Sequence, residues 1–595
     1  MKYQNTHRLK TACHILFFVL LSLPSFTQQF YVRGEVKDEA GNVLQNVTIL
    51  QHKTGYVFRT GSSGTFGIVS NHQTDTFSFT FEGYRTEKLF VNADDYVSLK
   101  MKLLPASSSA SRRDKLSSFT KNLEKEDQRT WFTGDETYAS LLENHFVDAK
   151  KFPSTGMSLN VDRASYSNIR RFITLNSIVP PDAVRIEEML NYFNLNYHPP
   201  ESNNLFYLNT VTSTCPWNNQ NQLYYVNFSS KKLNLDTLPS SHLVFLIDVS
   251  GSMDMPNRLP LLKSAFRLLV NNLREKDSVS IVVYGGVTGV MLNATSGAEK
   301  EKILNAIDEL TPGGTTPGES GVKLAYSVAK NHFIKGGNNR VILATDGDFN
   351  VGLRTEAELD ELISQQRESG IYLTCLGVGM GNYKDSKIQT LAKKGNGNFA
   401  YLDNFKEAEK VLLTEFTQTL YAVADDVYMN VDFNARYVKE YRLVGFDNKV
   451  GALRDSLSAL EGGEIGSGHS MVAIFELVPT KECFDAIADE KIDEKLATIK
   501  VQYKLPQKNE VNYYNFDSYL VLTPFARLDK GYHFSTAVAM FGSLLRSSNF
   551  VKSISWNDVI TLAESSCGKD DFLQKEFISL VQQAKLLYSR NKKKK

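Results

Sequence analysis

The chain is poor in the groups that announce most catalytic chemistry. Its 595 residues include five cysteines, ten histidines and three tryptophans. No HExxH is present, which excludes the common zinc-peptidase helix, and no GxSxG nucleophile elbow occurs. The cysteines lie too far apart for a cysteine-based zinc site. Net charge is only +1, so no general field draws nucleic acid to the chain. The lysine run at residues 592–595 reads as a solvated tail. No apolar run reaches the ~20 residues that span a bilayer.

The most apolar stretch, residues 15–23, follows Lys2, Arg8 and Lys10 and is broken by Pro24 ahead of Ser25, Phe26 and Thr27. That pattern reads as a secretory signal peptide over residues 1–27. The mature protein is then expected to be exported, either periplasmic and envelope-associated or secreted, with no transmembrane segment. Loss of Cys13 leaves Cys215, Cys375, Cys483 and Cys567. An oxidising compartment permits disulfides among these, in a pairing the sequence leaves open. Cys375, inside an apolar strand pattern, reads as a buried free thiol.

What the chain does have is material for cores: 36 Phe, 27 Tyr and 42% hydrophobic residues. Its length suggests roughly three to five domains. Residues 29–104 carry short alternating runs at 31–36, 47–51, 65–69, 76–81 and 96–101, with a strong turn signal at 38–42. They read as a small all-β domain. Residues 105–130, Ser/Ala-rich and then charged, read as a linker. Residues 131–241 show helical patterns near 166–175 and 185–193, then strand patterns at 205–212 and 222–228.

Residues 242–422 alternate apolar strands with amphipathic helices, the signature of a parallel sheet covered on both faces. Residues 423–595 return to strands and end in helices from about 530, and strands from the 200–230 region are candidates to complete a sandwich there. The fold class expected is multidomain. A central doubly wound, Rossmann-like α/β domain is flanked by β-sandwich domains.

Three clusters carry chemistry. Asp248-Val249-Ser250-Gly251-Ser252 follows a buried strand and precedes a helix. It offers one carboxylate and two hydroxyls, the hard oxygen donors that Mg²⁺, Mn²⁺ or Ca²⁺ prefer. Gly313-Gly314-Thr315-Thr316-Pro317-Gly318 is a sharply turning loop with hydroxyls. Thr345-Asp346-Gly347-Asp348 ends another apolar strand with a second carboxylate. In a doubly wound sheet, ligands bind beyond the carboxyl ends of strands where strand order reverses, and the strands ending at Asp248 and Asp346 would be neighbours there.

Other motifs carry less. The spacing of Gly313 and Gly318 mimics a phosphate loop, but Glu319 stands where that loop needs a lysine and would repel phosphate. Gly377, Gly379 and Gly381 depart from GxGxxG and read as a backbone turn. His469 beside Ser470, in a glycine-rich loop, lacks an orienting third residue and reads as structural. Asp254 and Asp348 read as solvated loop acids.

Asp248-x-Ser250-x-Ser252, Thr315 and Asp346 resemble the metal-ion-dependent adhesion site of von Willebrand factor type A domains. A bacterial family of such proteins is matched more widely. The matching stretches include residues 158–166, 180–193 and 339–352, together with Gly463-Glu464-Ile465-Gly466-Ser467-Gly468-His469. The family carries acidic residues where this chain has 456–460, so a second cation site there is not implied. Residues 29–104 resemble the carboxypeptidase regulatory-like β-sandwich through Gly34-Glu35-Val36, Gly41, Gly64, Phe66 and Phe81-Glu82-Gly83-Tyr84, which implies a spacer or docking module.

These resemblances imply one divalent cation, Mg²⁺ foremost with Mn²⁺ or Ca²⁺ as alternatives, held by Asp248, Ser250, Ser252, Thr315 and Asp346. They imply a non-enzymatic adhesion or scaffold protein whose partner offers an Asp or Glu to the metal. The rival is a Mg²⁺-dependent hydrolase using the same metal.

Overall fold

The computed structural model describes the chain from Phe30 to Lys592, except residues 39–40, 42, 82–83, 103–135, 196, 202–203, 286–287, 315–317, 348–355, 381–382, 416–417, 419–420, 447–462, 490–492 and 507. The expected signal peptide over 1–27, the whole of the expected linker over 105–130, Thr315, Asp348 and residues 456–460 therefore lie outside the described residues. The chain divides into two units, Met1–Lys115 and Leu116–Lys595.

In the first unit, alternation decides the architecture. Strands Phe30–Asp38, Thr65–Ser70 and Tyr96–Met101 form one sheet, and Thr48–Gln51, Val57–Arg59, Thr74–Thr80 and Glu87–Asn92 form another. Val32, Val36, Ile68 and Leu99 from the first share a buried cluster with Ile49, Phe77 and Phe79 from the second. Strands Val57–Arg59 and Glu87–Asn92 were not anticipated. Val57–Arg59 buries no side chain fully and Glu87–Asn92 only Val91, so neither shows a clear apolar period.

The second unit is built on a six-stranded sheet whose strands are labelled here in chain order. They are β1 (Ser241–Asp248), β2 (Ser278–Tyr284), β3 (Gly289–Ser296), β4 (Asn338–Thr345), β5 (Ile371–Val378) and β6 (Phe399–Leu402). Their spatial order is β3-β2-β1-β4-β5-β6, parallel except for β3 on the edge. β1 is buried along its whole length because helices cover both faces. Phe245 and Ile247 pack with Leu262, Phe266 and Leu269 of helix Leu259–Asn271, while Val244 and Leu246 pack with Val322, Ala325 and Tyr326 of helix Gly318–Asn331.

Two more sheets draw on both flanking segments. Phe206–Thr214 and Gln222–Ser230 pair with each other, and the latter pairs with Ser470–Pro479. Ser154–Ser158 joins Ala422–Phe433. Segments 131–241 and 423–595, distinct in sequence, thus fill one hydrophobic core between shared sheets. Helices Ala164–Thr174, Ile186–Tyr192, Lys530–Arg546, Trp556–Ser566 and Phe572–Lys592 share a second core.

Buried ion pairs tie these layers to the central sheet. Arg340 on β4 meets Glu464 at 2.6 Å, and Arg170 joins Asp403, Glu407 and Glu576 at 2.5–2.7 Å. Arg185 pairs with Asp385 at 2.5 Å and with Glu188.

Two local expectations are corrected. The apolar-periodic segment from Phe405, which reads as one closing helix of the α/β domain, is helix Phe405–Glu409 followed by a π-helical turn, Lys410–Thr414. The wider turn sets the Glu415 carboxylate between Lys410 at 3.0 Å and Arg163 at 2.5 Å. A helix, Lys481–Ala488, interrupts the β-rich stretch; the Thr480 hydroxyl caps it by accepting from the Cys483 N–H at 3.2 Å. Among the described residues the cysteines are free thiols: Cys215, Cys375 and Cys483 are buried and Cys567 is partly exposed.

Candidate metal centre

Strand order reverses between β1 and β4, and both strands deliver an aspartate at or just past their carboxyl ends. Asp248 closes β1 and Asp346 follows Thr345, the last residue of β4. After Asp248 the chain turns sharply: the Val249 N–H donates to the Tyr284 carbonyl at 2.8 Å, and Gly251–Asp254 forms a short 3-10 turn. Gly285 makes this possible. Its φ is +108°, and a Cβ there would come within 2.4 Å of the Ser250 nitrogen. The turn presents both serine hydroxyls on one side, with Ser250 Oγ and Ser252 Oγ 3.1 Å apart.

The hydroxyls link the carboxylates. Asp248 Oδ1 accepts from the Ser250 N–H at 2.9 Å, and Asp248 Oδ2 accepts from Thr345 Oγ1 at 3.2 Å. Ser252 Oγ donates to Asp346 Oδ2 at 2.7 Å. The glycine loop reaches the same turn, since the Gly313 N–H donates to the Val249 carbonyl at 2.7 Å and the Gly251 N–H donates to the Gly314 carbonyl at 3.2 Å. Of the five residues expected at the centre, the structure brings Asp248, Ser250, Ser252 and Asp346 together, and Thr315 falls outside the described residues.

Electrostatics mark the place as unusual. Burial, reinforced by the neighbouring Asp346 charge, pushes the Asp248 carboxyl up to about 6, although hydrogen bonds from Ser250 and Thr345 oppose it. Tyr284 beneath it is raised well above the usual phenol range, first by burial and then by Asp248. A buried pair of carboxylates is costly unless a cation compensates it.

Sequence reasoning missed one such cation. Arg258 Nη1 donates to Asp346 Oδ2 at 2.6 Å and to the Ser252 carbonyl at 2.7 Å. Nothing in the motif spacing points to Arg258; only the backbone path from the 3-10 turn into helix Leu259–Asn271 brings it there.

The donor set fits a hard divalent cation, being all oxygen with two carboxylates and two hydroxyls. Among the described residues no three His, Cys, Asp or Glu side chains converge as a metal cluster, here or elsewhere, so a cation at this centre would rest on two carboxylates and the hydroxyls. The other motifs fall in structural positions. His469 is buried, its backbone N–H donates to Ser230 Oγ at 2.9 Å, and Ser470 Oγ donates to the Leu195 carbonyl at 3.0 Å. Asp254 is exposed.

Comparisons with known proteins agree on the class. Residues 242–415 match the von Willebrand factor type A domain, residues 133–225 match a von Willebrand factor family, and residues 418–587 match the C-terminal domain of the uncharacterized protein YfbK. Fold and sequence together define a von Willebrand type A protein. YfbK of Escherichia coli K12 is 36% identical over 471 residues, covering 76% of this chain and 81% of its own length. The chain belongs to the YfbK family.

More distantly, inter-alpha-trypsin inhibitor heavy chain H2 of Mesocricetus auratus is 25% identical over 219 residues, which is 36% of this chain and 22% of the relative. A solved von Willebrand factor type A protein from Catenulispora acidiphila is 15% identical with a TM-score of 0.38, covering 62% of this chain and 88% of its own.

Proposed function

We propose that this chain is a non-enzymatic protein-interaction protein that grips an acidic residue of its partner through one divalent cation. Asp248, Ser250, Ser252 and Asp346, with Thr315 from the adjoining glycine loop, would hold the ion, Mg²⁺ foremost. The ion supplies an electrophilic point for an incoming anionic oxygen. One observation carries the reading: buried carboxylates at the ends of two neighbouring strands, bridged by two serine hydroxyls, at the reversal point of a type A domain.

The chain's own residues do the rest. Thr345 and the Ser250 N–H orient Asp248, and Ser252 orients Asp346. The flanking segments are tied to β4 through buried ion pairs such as Arg340–Glu464. The leader-like segment 1–27 fits export to the cell envelope, where the regulatory-like β-unit at residues 29–104 would act as a spacer. No helix among the described residues is long and apolar enough to cross a membrane.

The test is retention of envelope proteins on the immobilised chain. Retention is expected in Mg²⁺ and not in EDTA, and not by Asp248→Ala in either. Equal retention in EDTA would overturn the reading. Turnover of a phosphoester panel that is abolished by Asp346→Ala would replace it with the hydrolase.

A further inference from the structure

The charge inventory of the centre does not stop at its oxygen donors. Arg258 is held by three oxygens at once: Nη1 on Asp346 Oδ2 and the Ser252 carbonyl, and Nη2 on the Met380 carbonyl at 2.9 Å. It is only 6% exposed. Its seat is shaped by the loop after β5, where Gly379 has φ +82° and any Cβ would lie 2.5 Å from Arg258 Nε. Two of its three anchors are backbone carbonyls, those of Ser252 and Met380. Arg258 is therefore a built part of the centre and not a surface arm that happens to rest there.

We propose that Arg258 is a resident cation that sets the charge of the loaded centre, weakening its hold on metal and making it select a carboxylate ligand. The inference rests on the metal-site reading above. Asp248 and Asp346 contribute two negative charges and Arg258 one positive charge, which an arginine keeps at any working pH. A divalent cation brings these buried groups to a net +1. One partner carboxylate then makes the assembly neutral. Without Arg258 the loaded centre would already be neutral, and the same carboxylate would leave an uncompensated negative charge where water screens poorly. The guanidinium also occupies lone-pair capacity on Asp346 Oδ2 and repels the incoming metal. It thus trades metal affinity for anion affinity.

A purely structural tie would behave differently, because losing it would loosen the turn and weaken metal and anion binding together. The experiment titrates the full chain with Mn²⁺, reading free Mn²⁺ by electron paramagnetic resonance, in wild type, Arg258→Gln and Arg258→Lys. Acetate is the carboxylate probe, followed by the fall in water-proton relaxation of bound Mn²⁺, and thermal melts check folding. Arg258→Gln is expected to bind Mn²⁺ about tenfold more tightly and acetate about tenfold more weakly, each equivalent to about 1.4 kcal/mol. Arg258→Lys, which keeps the charge, is expected to stay within about threefold of wild type for both, or about 0.65 kcal/mol.

Weakening of both ligands in Arg258→Gln, or unchanged Mn²⁺ affinity, overturns the proposal while leaving the metal site intact. So does a lysine variant in which Mn²⁺ tightens and acetate weakens. If wild type binds no Mn²⁺, the metal reading itself fails and this proposal falls with it.

Discussion

Replacing Asp248 with asparagine should make the metal-free protein more stable, because the native carboxylate is a liability until something binds it. The structure sets the size. Burial raises the Asp248 carboxyl from an ordinary 3.8 to about 6. A gap of about two units corresponds to about 3 kcal/mol. The sign follows from proton linkage. The folded state binds this proton more tightly than the unfolded state, so stability falls as pH rises from 3.8 through 6, and the full penalty is present above 6.

Asparagine keeps the size and the oxygen that accepts from the Ser250 N–H, but not the charge. About 1 kcal/mol is returned through weaker hydrogen bonds from Ser250 and Thr345. In EDTA at pH 7.5, Asp248→Asn should therefore gain about 2 kcal/mol in urea unfolding followed by circular dichroism. Near pH 4.5 the gain should vanish, because the wild-type carboxyl is then mostly protonated. Saturating Mg²⁺ should reverse the order: a ligand at 100 times its Kd adds about 2.7 kcal/mol to wild type and nothing to the variant. A variant less stable than wild type in EDTA at pH 7.5, or one stabilised equally by Mg²⁺, would refute the reasoning.

Three further outcomes are expected. Glu464→Gln leaves Arg340 buried without its counter-charge and should cost about 3–5 kcal/mol, whereas Arg340→Met with Glu464→Leu should recover most of that loss in the same unfolding assay. His242 is held neutral, its imidazole lowered from 6.5 to about 4 by burial and by nearby His332, so its contribution is complete above pH 6.5 and is lost as pH falls toward 4. The difference in stability between pH 7.5 and pH 5 should accordingly shrink by about 2 kcal/mol in His242→Gln, and an unchanged difference would count against this assignment. Gly285→Ala forces a Cβ against the Ser250 nitrogen at positive φ and should cost about 1–3 kcal/mol or more while weakening Mn²⁺ binding at least severalfold, measured by titration of the folded variant.

The residues of the centre differ in how visible they were. Asp248, Ser250 and Ser252 could be read directly because a buried strand, a turn and a helix follow one another within a few residues, and local periodicity reports local backbone. Asp346 was legible for the same reason, at the end of an equally apolar strand. The placement of β1 beside β4 followed from the alternation of strands and helices and the strand-order reversal of a doubly wound sheet.

Arg258 was invisible: its partners, Asp346 and Met380, are 88 and 122 residues away, and an arginine before a helix has no fixed meaning until the chain is folded. That strands from the 200–230 region would complete the later sandwich could be read from the pattern, but not the pairing of Gln222–Ser230 with Ser470–Pro479 or its register, and the Arg340–Glu464 bridge between β4 and Gly463–Gly466 was beyond local reading. Short-range pattern fixes which segments become strands and helices and which oxygens stand at their ends. Which distant charges and edges then meet is decided by burial of a common core, because only there does an unpaired charge or an open strand edge become too costly to leave.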